Sequence, residues 1–264
     1  MYSKVPSDEF LIWLIGFTEG DGCFLITNRN DLMFIISQGV DNKDVLDMIQ
    51  ITLGFGKVIK QGPRVYRYIV QDKKNLELIV SLFNGNIVLL TRQERFYKFL
   101  DLYNQKAIKG KIILDPISPL YSNILPTLTN SWLTGFTDSE GCFSVSIRDN
   151  IKNGFSIVYL VSQKGYKNVP KLSHLILLFQ SGVIQPHSKD DNFSFIASGL
   201  KNCENIISSN YFDKFPLKTT KYNSYIKWKE VFSHLKSQDH LDFYIRPSID
   251  EKARLINLSR RKSK

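Results

Sequence analysis

Asp21 and Glu140 stand at matching places in two nearly identical stretches, LIGFTEGDGCF over 14–24 and LTGFTDSEGCF over 133–143. Each acid closes an apolar, helix-forming run and precedes a glycine. A carboxylate there meets the negative end of the helix dipole, where it is disfavoured. If the two helices pack together, the two carboxylates also approach each other, a second penalty. A divalent cation removes both, and hard oxygen donors suit Mg²⁺. Glu19 and Asp138 are rivals by charge. They lie two residues back, on roughly the opposite helix face, and read as structural or solvated. Gly16 and Gly20 lie four apart on one face, as do Gly135 and Ser139 in the second copy. Glycine inside a helix costs roughly 0.5–1 kcal/mol relative to alanine. A pair on one face therefore predicts close backbone approach, and the obvious neighbour is the other copy of the helix.

The elements that must position these acids repeat with them. FIISQ ending at Gln38 answers YLVSQ ending at Gln163, and LLTRQERFYKFL with Arg92 answers LKTTKYNSYIKW with Lys221. A period near half the chain indicates a duplicated domain and not a solenoid. Each half opens with a helix. Ser7 caps the first, with Asp8 and Glu9 in its first turn, and Asn130 caps the second. Gly22 and Gly141 are read as the C′ glycines that end them. CFLITNR then places Phe24 and Ile26 on one face against Cys23, Leu25, Thr27 and Arg29. CFSVSIR places Phe143, Val145 and Ile147 against Cys142, Ser144, Ser146 and Arg148. Period two with one apolar face predicts a sheet packed on one side only. RNDL and DNIKNG are turn-like, so each first strand folds back as a hairpin. Helices follow at 43–53 and 168–180, strand pairs at 57–72 and 183–198, and helices at 75–84, 91–105, 202–209 and 219–236. The order per half is helix, two strands, helix, two strands, helices. The predicted organisation is a first half over 1–105, a Lys-, Pro- and Ser-rich linker over 106–128, and a second half over 129–264.

The chain has 264 residues, 43% of them hydrophobic, which is enough for a sizeable core. The formal charge of +10 favours a polyanionic partner. The apolar run Phe10 to Phe17 stops at Glu19, too short to span a bilayer, and no secretory cleavage site follows it. Cys23, Cys142 and Cys203 have no CxxC spacing, against a zinc or disulfide framework and in favour of a reducing compartment. Lysine outnumbers arginine, and Asn, Ile, Phe and Tyr are plentiful. Their codons are A/T-rich, as in an organelle genome.

The two stretches resemble the paired motifs of the single-chain LAGLIDADG homing endonucleases, carried here by residues 14–22 and 133–141. The resemblance covers nearly the whole chain. It implies an α+β fold of two pseudo-symmetric helix-strand-strand-helix-strand-strand-helix halves. These pack through the two motif helices, and each has a four-stranded antiparallel DNA-binding sheet. It implies that Asp21 with the Gly20 carbonyl, and Glu140 with the Ser139 carbonyl, bind Mg²⁺. Ca²⁺ is expected to support binding without cleavage, and Mn²⁺ to be active. Gln38 and Gln163, with Lys221 and in the matching place Arg92, are expected to order water around the metals. Arg92 departs from the lysine of the family pattern, leaving a surface helix arginine as its other reading. Cys23 and Cys142 are small neighbours of the site and not nucleophiles.

The resemblance, with the organelle-like composition, further implies a functional monomer of an organelle, expected to be the mitochondrion, that cuts both strands of a long asymmetric DNA site and leaves four-base 3′ overhangs. Strand alternation nominates Thr27, Arg29, Arg67 and Gln71 in the first half as DNA readers. In the second half it nominates Ser144, Ser146, Arg148, Gln185 and His187. The lysines and the tail SRRKSK suit phosphate contact. The alternatives are an intron RNA maturase, with or without nuclease activity, and a DNA-binding protein that has lost catalysis. A membrane-surface role is disfavoured, because core strands and helices account for the apolar faces.

Overall fold

A computed structural model describes residues 5–109, 115–148, 154–187 and 190–256. Residues 110–114 of the linker, most of the DNIKNG turn and the tail SRRKSK lie outside the described residues. The first repeat runs α1 (Asp8–Asp21), β1 (Gly22–Ile26), β2 (Leu32–Gly39), α2 (Lys43–Leu53), β3 (Lys57–Lys60), β4 (Val65–Val70), α3 (Lys73–Phe83) and α4 (Leu90–Ile108). The second runs α5 (Trp132–Glu140), β5 (Gly141–Ile147), β6 (Phe155–Lys164), α6 (Val169–Phe179), β7 (Val183–Pro186), β8 (Asn192–Ser198), α7 (Gly199–Ser208), α8 (Tyr211–Lys214), α9 (Lys221–Lys236) and α10 (Arg246–Ile256). Each sheet is antiparallel with the same order, β1-β2-β4-β3 and β5-β6-β8-β7. The predicted element order therefore holds. The short α8 and the closing α10 are additions that no periodic apolar pattern announced.

The caps behave as expected at the helix starts. Ser7 Oγ accepts the Phe10 N–H at 3.2 Å, and Asn130 Oδ1 accepts the Trp132 N–H at 3.1 Å. At the ends they differ. Gly22 is extended (φ −90°, ψ 160°) and is the first residue of β1, not a left-handed C′ residue. Its requirement is space: a Cβ there would lie 2.3 Å from Thr18 Cγ2 and 2.6 Å from the Thr18 carbonyl oxygen. Gly141 likewise begins β5.

Period two fixes which sheet face is buried. Phe24 packs against Phe34, Phe83, Phe96 and Phe99, with ring centroids 5.1–5.5 Å apart. At the matching place in the second repeat, Phe143 packs against Tyr159, Phe212, Tyr225 and Trp228 at 5.0–5.6 Å. Each sheet thus stacks its helices on one face.

The compact units do not coincide with the repeats. They divide between Ser139 and Glu140, whereas the repeat boundary read from the sequence falls at 129. The reason is that α5, the first helix of the second repeat, packs on α1 within the first unit.

Candidate active site

The helix α1 meets α5 backbone to backbone. A Cβ on Gly16 would lie 2.0 Å from the Trp132 carbonyl oxygen, and one on Gly135 would lie 2.0 Å from that of Trp13. These glycines exist because nothing larger fits. Ser139 turns its hydroxyl back onto its own helix, donating to the Phe136 carbonyl at 3.0 Å.

Glu19 and Asp138 are structural, and the solvated alternative is excluded. Both are 2% exposed. Trp13 Nε1 donates to Asp138 Oδ2 at 2.9 Å, and reciprocally Trp132 Nε1 donates to Glu19 Oε1 at 2.8 Å. Glu19 also accepts the Val88 N–H at 2.9 Å and the Leu89 N–H at 2.6 Å. These two N–H groups belong to the two residues just before α4, so Glu19 anchors the entry to that helix from a distance. Burial pushes its carboxyl up to about 7, against the hydrogen bonds from Val88, Leu89 and Trp132 and the nearby Arg92 cation.

Fixing the start of α4 places Arg92, in its first turn, beside the end of α1. Arg92 Nη2 donates to the Gly20 carbonyl at 2.6 Å, and Nη1 reaches the Gly22 carbonyl at 3.5 Å. The guanidinium therefore caps the carbonyl end of α1, one residue from Asp21. It is not the surface arginine of the alternative reading. Asp21 itself is half-buried. Its Oδ2 accepts Gln38 Nε2 at 2.6 Å, and Gln38 Oε1 in turn faces Asn42 Nδ2 at 3.4 Å. Asn42 was not among the residues nominated from sequence. A weak signal existed, since an asparagine follows each SQ pair by four or five residues, at Asn42 and Asn168.

The second repeat is arranged differently. Glu140 ends α5. Gln163, 6% exposed, folds back so that its Oε1 accepts the Lys164 N–H at 2.9 Å, while its Nε2 is buried without a partner. The amide that holds Asp21 in the first repeat thus makes no bond to Glu140 in the second. Asn168 is fully buried and donates to the Lys164 carbonyl at 2.9 Å. Lys221 is the first residue of α9, with its N–H donated to Thr219 Oγ1 at 3.2 Å.

Most nominated DNA readers lie on or just past the open sheet faces. Arg67 lies on β4 between Ser37 and Ile59, and its Nε is buried without a hydrogen-bond partner. Gln71 is exposed one residue past β4. Ser144 and Ser146 lie on β5, Gln185 on β7, and the exposed His187 follows β7. Arg148 is exposed past β5, and its carbonyl accepts Arg246 Nη2 at 3.0 Å. The strand placement of Thr27 and Arg29, like that of Gln71, Arg148 and His187, is corrected: none of the five lies within a strand. Strand β1 ends at Ile26, and Thr27 Oγ1 accepts the Asp31 N–H at 2.9 Å. Thr27 and Arg29 belong to the hairpin turn, where strand alternation no longer assigns a face.

The donors at Asp21 suit a hard divalent ion. A carboxylate has about four acceptor positions and a carbonyl has two. The Arg92 guanidinium occupies one position on the Gly20 carbonyl, so a cation there would share that oxygen with a positive charge. Among the described residues no three His, Cys, Asp or Glu side chains cluster as a closed cage. An ion held here would draw its remaining ligands from water and substrate.

The LAGLIDADG endonuclease family model matches residues 14–103 and 133–232, spanning both motif helices and both sheets. The chain belongs to this family. Among relatives, a "Probable intron-encoded endonuclease 4" of Neurospora crassa is 34% identical over 252 residues, covering 91% of this chain and 44% of that protein. A "Probable intron-encoded endonuclease Cox1-I1b" of Schizosaccharomyces pombe is 27% identical, covering 74% of this chain and 56% of that one. The chain thus spans about half the length of these relatives. The crystal structure of the LAGLIDADG homing endonuclease I-GzeII in complex with its DNA target has a TM-score of 0.74 at 21% identity. That likeness covers 92% of this chain and 96% of the other. It establishes the fold shared within the family, two four-stranded antiparallel sheets included.

Proposed function

We propose that this chain is a site-specific DNA endonuclease that makes a divalent-metal-dependent double-strand break in a long asymmetric site, leaving four-base 3′ overhangs. The observation that carries this reading is Asp21 at the carbonyl end of α1, fixed by Gln38 and flanked by the Arg92 cation. Asp21 with the Gly20 carbonyl, and Glu140 with the Ser139 carbonyl, would hold Mg²⁺; Mn²⁺ would substitute, and Ca²⁺ would support binding alone. When bound, such an ion supplies charge stabilisation at the phosphate and a more acidic water. Gln38 ties down one Asp21 oxygen and so fixes the orientation of the carboxylate. Asn42 faces the Gln38 carbonyl oxygen and sets which end of the amide points to Asp21. Arg92 adds fixed positive charge where a phosphate would accumulate negative charge. Gln163 and Lys221 are assigned the corresponding positioning roles in the second repeat. The enzyme acts as a monomer, in keeping with two motifs in one chain, and in mitochondria, in keeping with the intron-encoded relatives.

A second reading is supported by one relative. An "Intron-encoded RNA maturase bI4" of Saccharomyces cerevisiae is 27% identical over 63% of this chain and 25% of that protein. Splicing of the intron RNA would then be an added activity. The deciding experiment incubates the chain with a randomised duplex library and Mg²⁺. Enrichment of one long cleaved site is expected. No cleaved site, together with accelerated splicing of a host intron, would replace the first reading by the second.

A further inference from the structure

The open face of each sheet carries an aliphatic row at its centre. In the first sheet, residues directly opposite one another run Cys23, Ile35, Ile69 and Lys57 across β1, β2, β4 and β3. In the second they run Cys142, Leu160, Ile196 and Val183 across β5, β6, β8 and β7. The two rows occupy the same place in the repeat. They alternate with the core residues Phe24, Phe34 and Tyr68, and with Phe143, Tyr159 and Phe195, so they face away from the helices. Ile69, Leu160 and Ile196 remain half-exposed and Val183 is 48% exposed, whereas Ile35 and Cys142 are covered by their neighbours and buried. Leu25 and Met33 extend the first row as directly opposed neighbours.

A sheet face left to water ordinarily reads polar at such positions. Here partly exposed aliphatic side chains stand at the same place in both sheets, Ile69 in the first and Leu160, Ile196 and Val183 in the second, in a chain of charge +10. Arg67, whose Nε has no partner, lies two residues from Ile69 on the same strand face. The surface combines cationic groups with apolar side chains that cannot hydrogen-bond a base edge. In the major groove the apolar feature of an unmodified base pair is the thymine 5-methyl group.

We propose that Ile69 in the first sheet, and Leu160 with Ile196 in the second, are specificity determinants that select thymine at equivalent positions of the two half-sites, by burying its 5-methyl group. The inference rests on the proposed DNA-binding reading and adds the chemistry by which each sheet discriminates bases. Arg67, on the same face as Ile69, then reads guanine.

The test uses a duplex enriched from a randomised library by binding in Ca²⁺, which requires no cleavage. It is resynthesised with deoxyuridine for thymidine in one half-site, then in the other, and affinities are measured with the unaltered protein. Each contacted methyl is expected to be worth about fourfold in affinity. Substituting 5-bromouracil, whose bromine fills the methyl volume, should restore binding. Ile69→Ser should remove the thymine preference in one half-site and Ile196→Ser in the other. Equal affinity for thymine and uracil in both half-sites would overturn the proposal, as would failure to enrich any duplex. Because the methyl group alone is read, 5-methylcytosine at the same positions should bind more tightly than cytosine, and equal affinity for the two would overturn the proposal. A methyl effect without cleavage in Mg²⁺ would instead uphold this proposal and sink the endonuclease reading.

Discussion

Asp21 depends on a short chain of side chains, from Asn42 to Gln38 to the carboxylate, and on the Arg92 cation one residue away. Removing the charge at Asp21 should therefore separate catalysis from binding. Asp21→Asn is expected to abolish cutting while leaving affinity in Ca²⁺ within a few-fold, read by gel shift and plasmid linearisation. Full activity would refute the metal assignment. Arg92 and Lys221 occupy matching places but are unlike in chemistry, a planar fork against a compact ammonium. Because Gln38 holds Asp21 while Gln163 folds back on its own strand, the two repeats are also unequally assembled. The two strands of a target should accordingly be cut at unequal rates. On supercoiled plasmid, Lys221→Met should leave mainly a nick in one strand and Arg92→Met a nick in the other. Unaltered nicking in both variants would make the pair purely structural.

At the scale of elements, α1, α4 and α5 are held by contacts that tolerate little change. The Gly16 site faces a backbone carbonyl, which cannot rotate aside as a side chain can. Gly16→Ala is expected to cost about 3 kcal/mol or more, at the upper end of overpacking penalties. Gly39→Ala is a fitting contrast, because its nearest atom is 4.0 Å away and its φ is −65°; its cost should stay under about 1 kcal/mol. Denaturant midpoints of both variants provide the check. Glu19 adds a pH dependence. Its carboxyl is raised from 4.5 to about 7, so the folded state binds the proton more tightly than the unfolded chain does. That contribution is complete below about 4.5 and is lost as pH rises through about 7. It amounts to roughly 3 kcal/mol across this window. Glu19→Gln cannot ionise, so its stability should vary less over the same range. Parallel pH profiles for wild type and variant would show that Glu19 does not titrate there.

For the whole molecule, a charge of +10 implies that binding to DNA displaces condensed counterions. The logarithm of affinity should fall linearly with the logarithm of salt concentration, with a slope of about −0.9 per phosphate neutralised. Several such contacts would weaken binding by about a thousandfold or more between 50 and 200 mM salt. An affinity that is flat over that range would argue against a duplex held along its backbone. Among the described residues no helix is long and apolar enough to cross a membrane.

The sequence by itself determined the duplication, the order of elements and the pair of acids. Local periodicity writes these directly: period two put Phe24 and Phe143 in the core, and glycines four apart predicted the close helix approach at Gly16 and Gly135. It could not decide what each side chain would meet. Glu19 is buried because Trp132, Val88 and Leu89, between 69 and 113 residues away, bring three N–H donors to it. Arg92 caps α1 across a separation of 72 residues. Gly22 is extended and Thr27 turns out of its strand because the hairpin and the Thr18 side chain set the local geometry. The different fates of Gln38 and Gln163, identical in their SQ pairs, follow from their neighbours and not from their own residue type. Periodicity depends on short spans of chain, whereas burial and hydrogen-bond partners depend on which distant segments the topology brings together, and only the tertiary structure decides those.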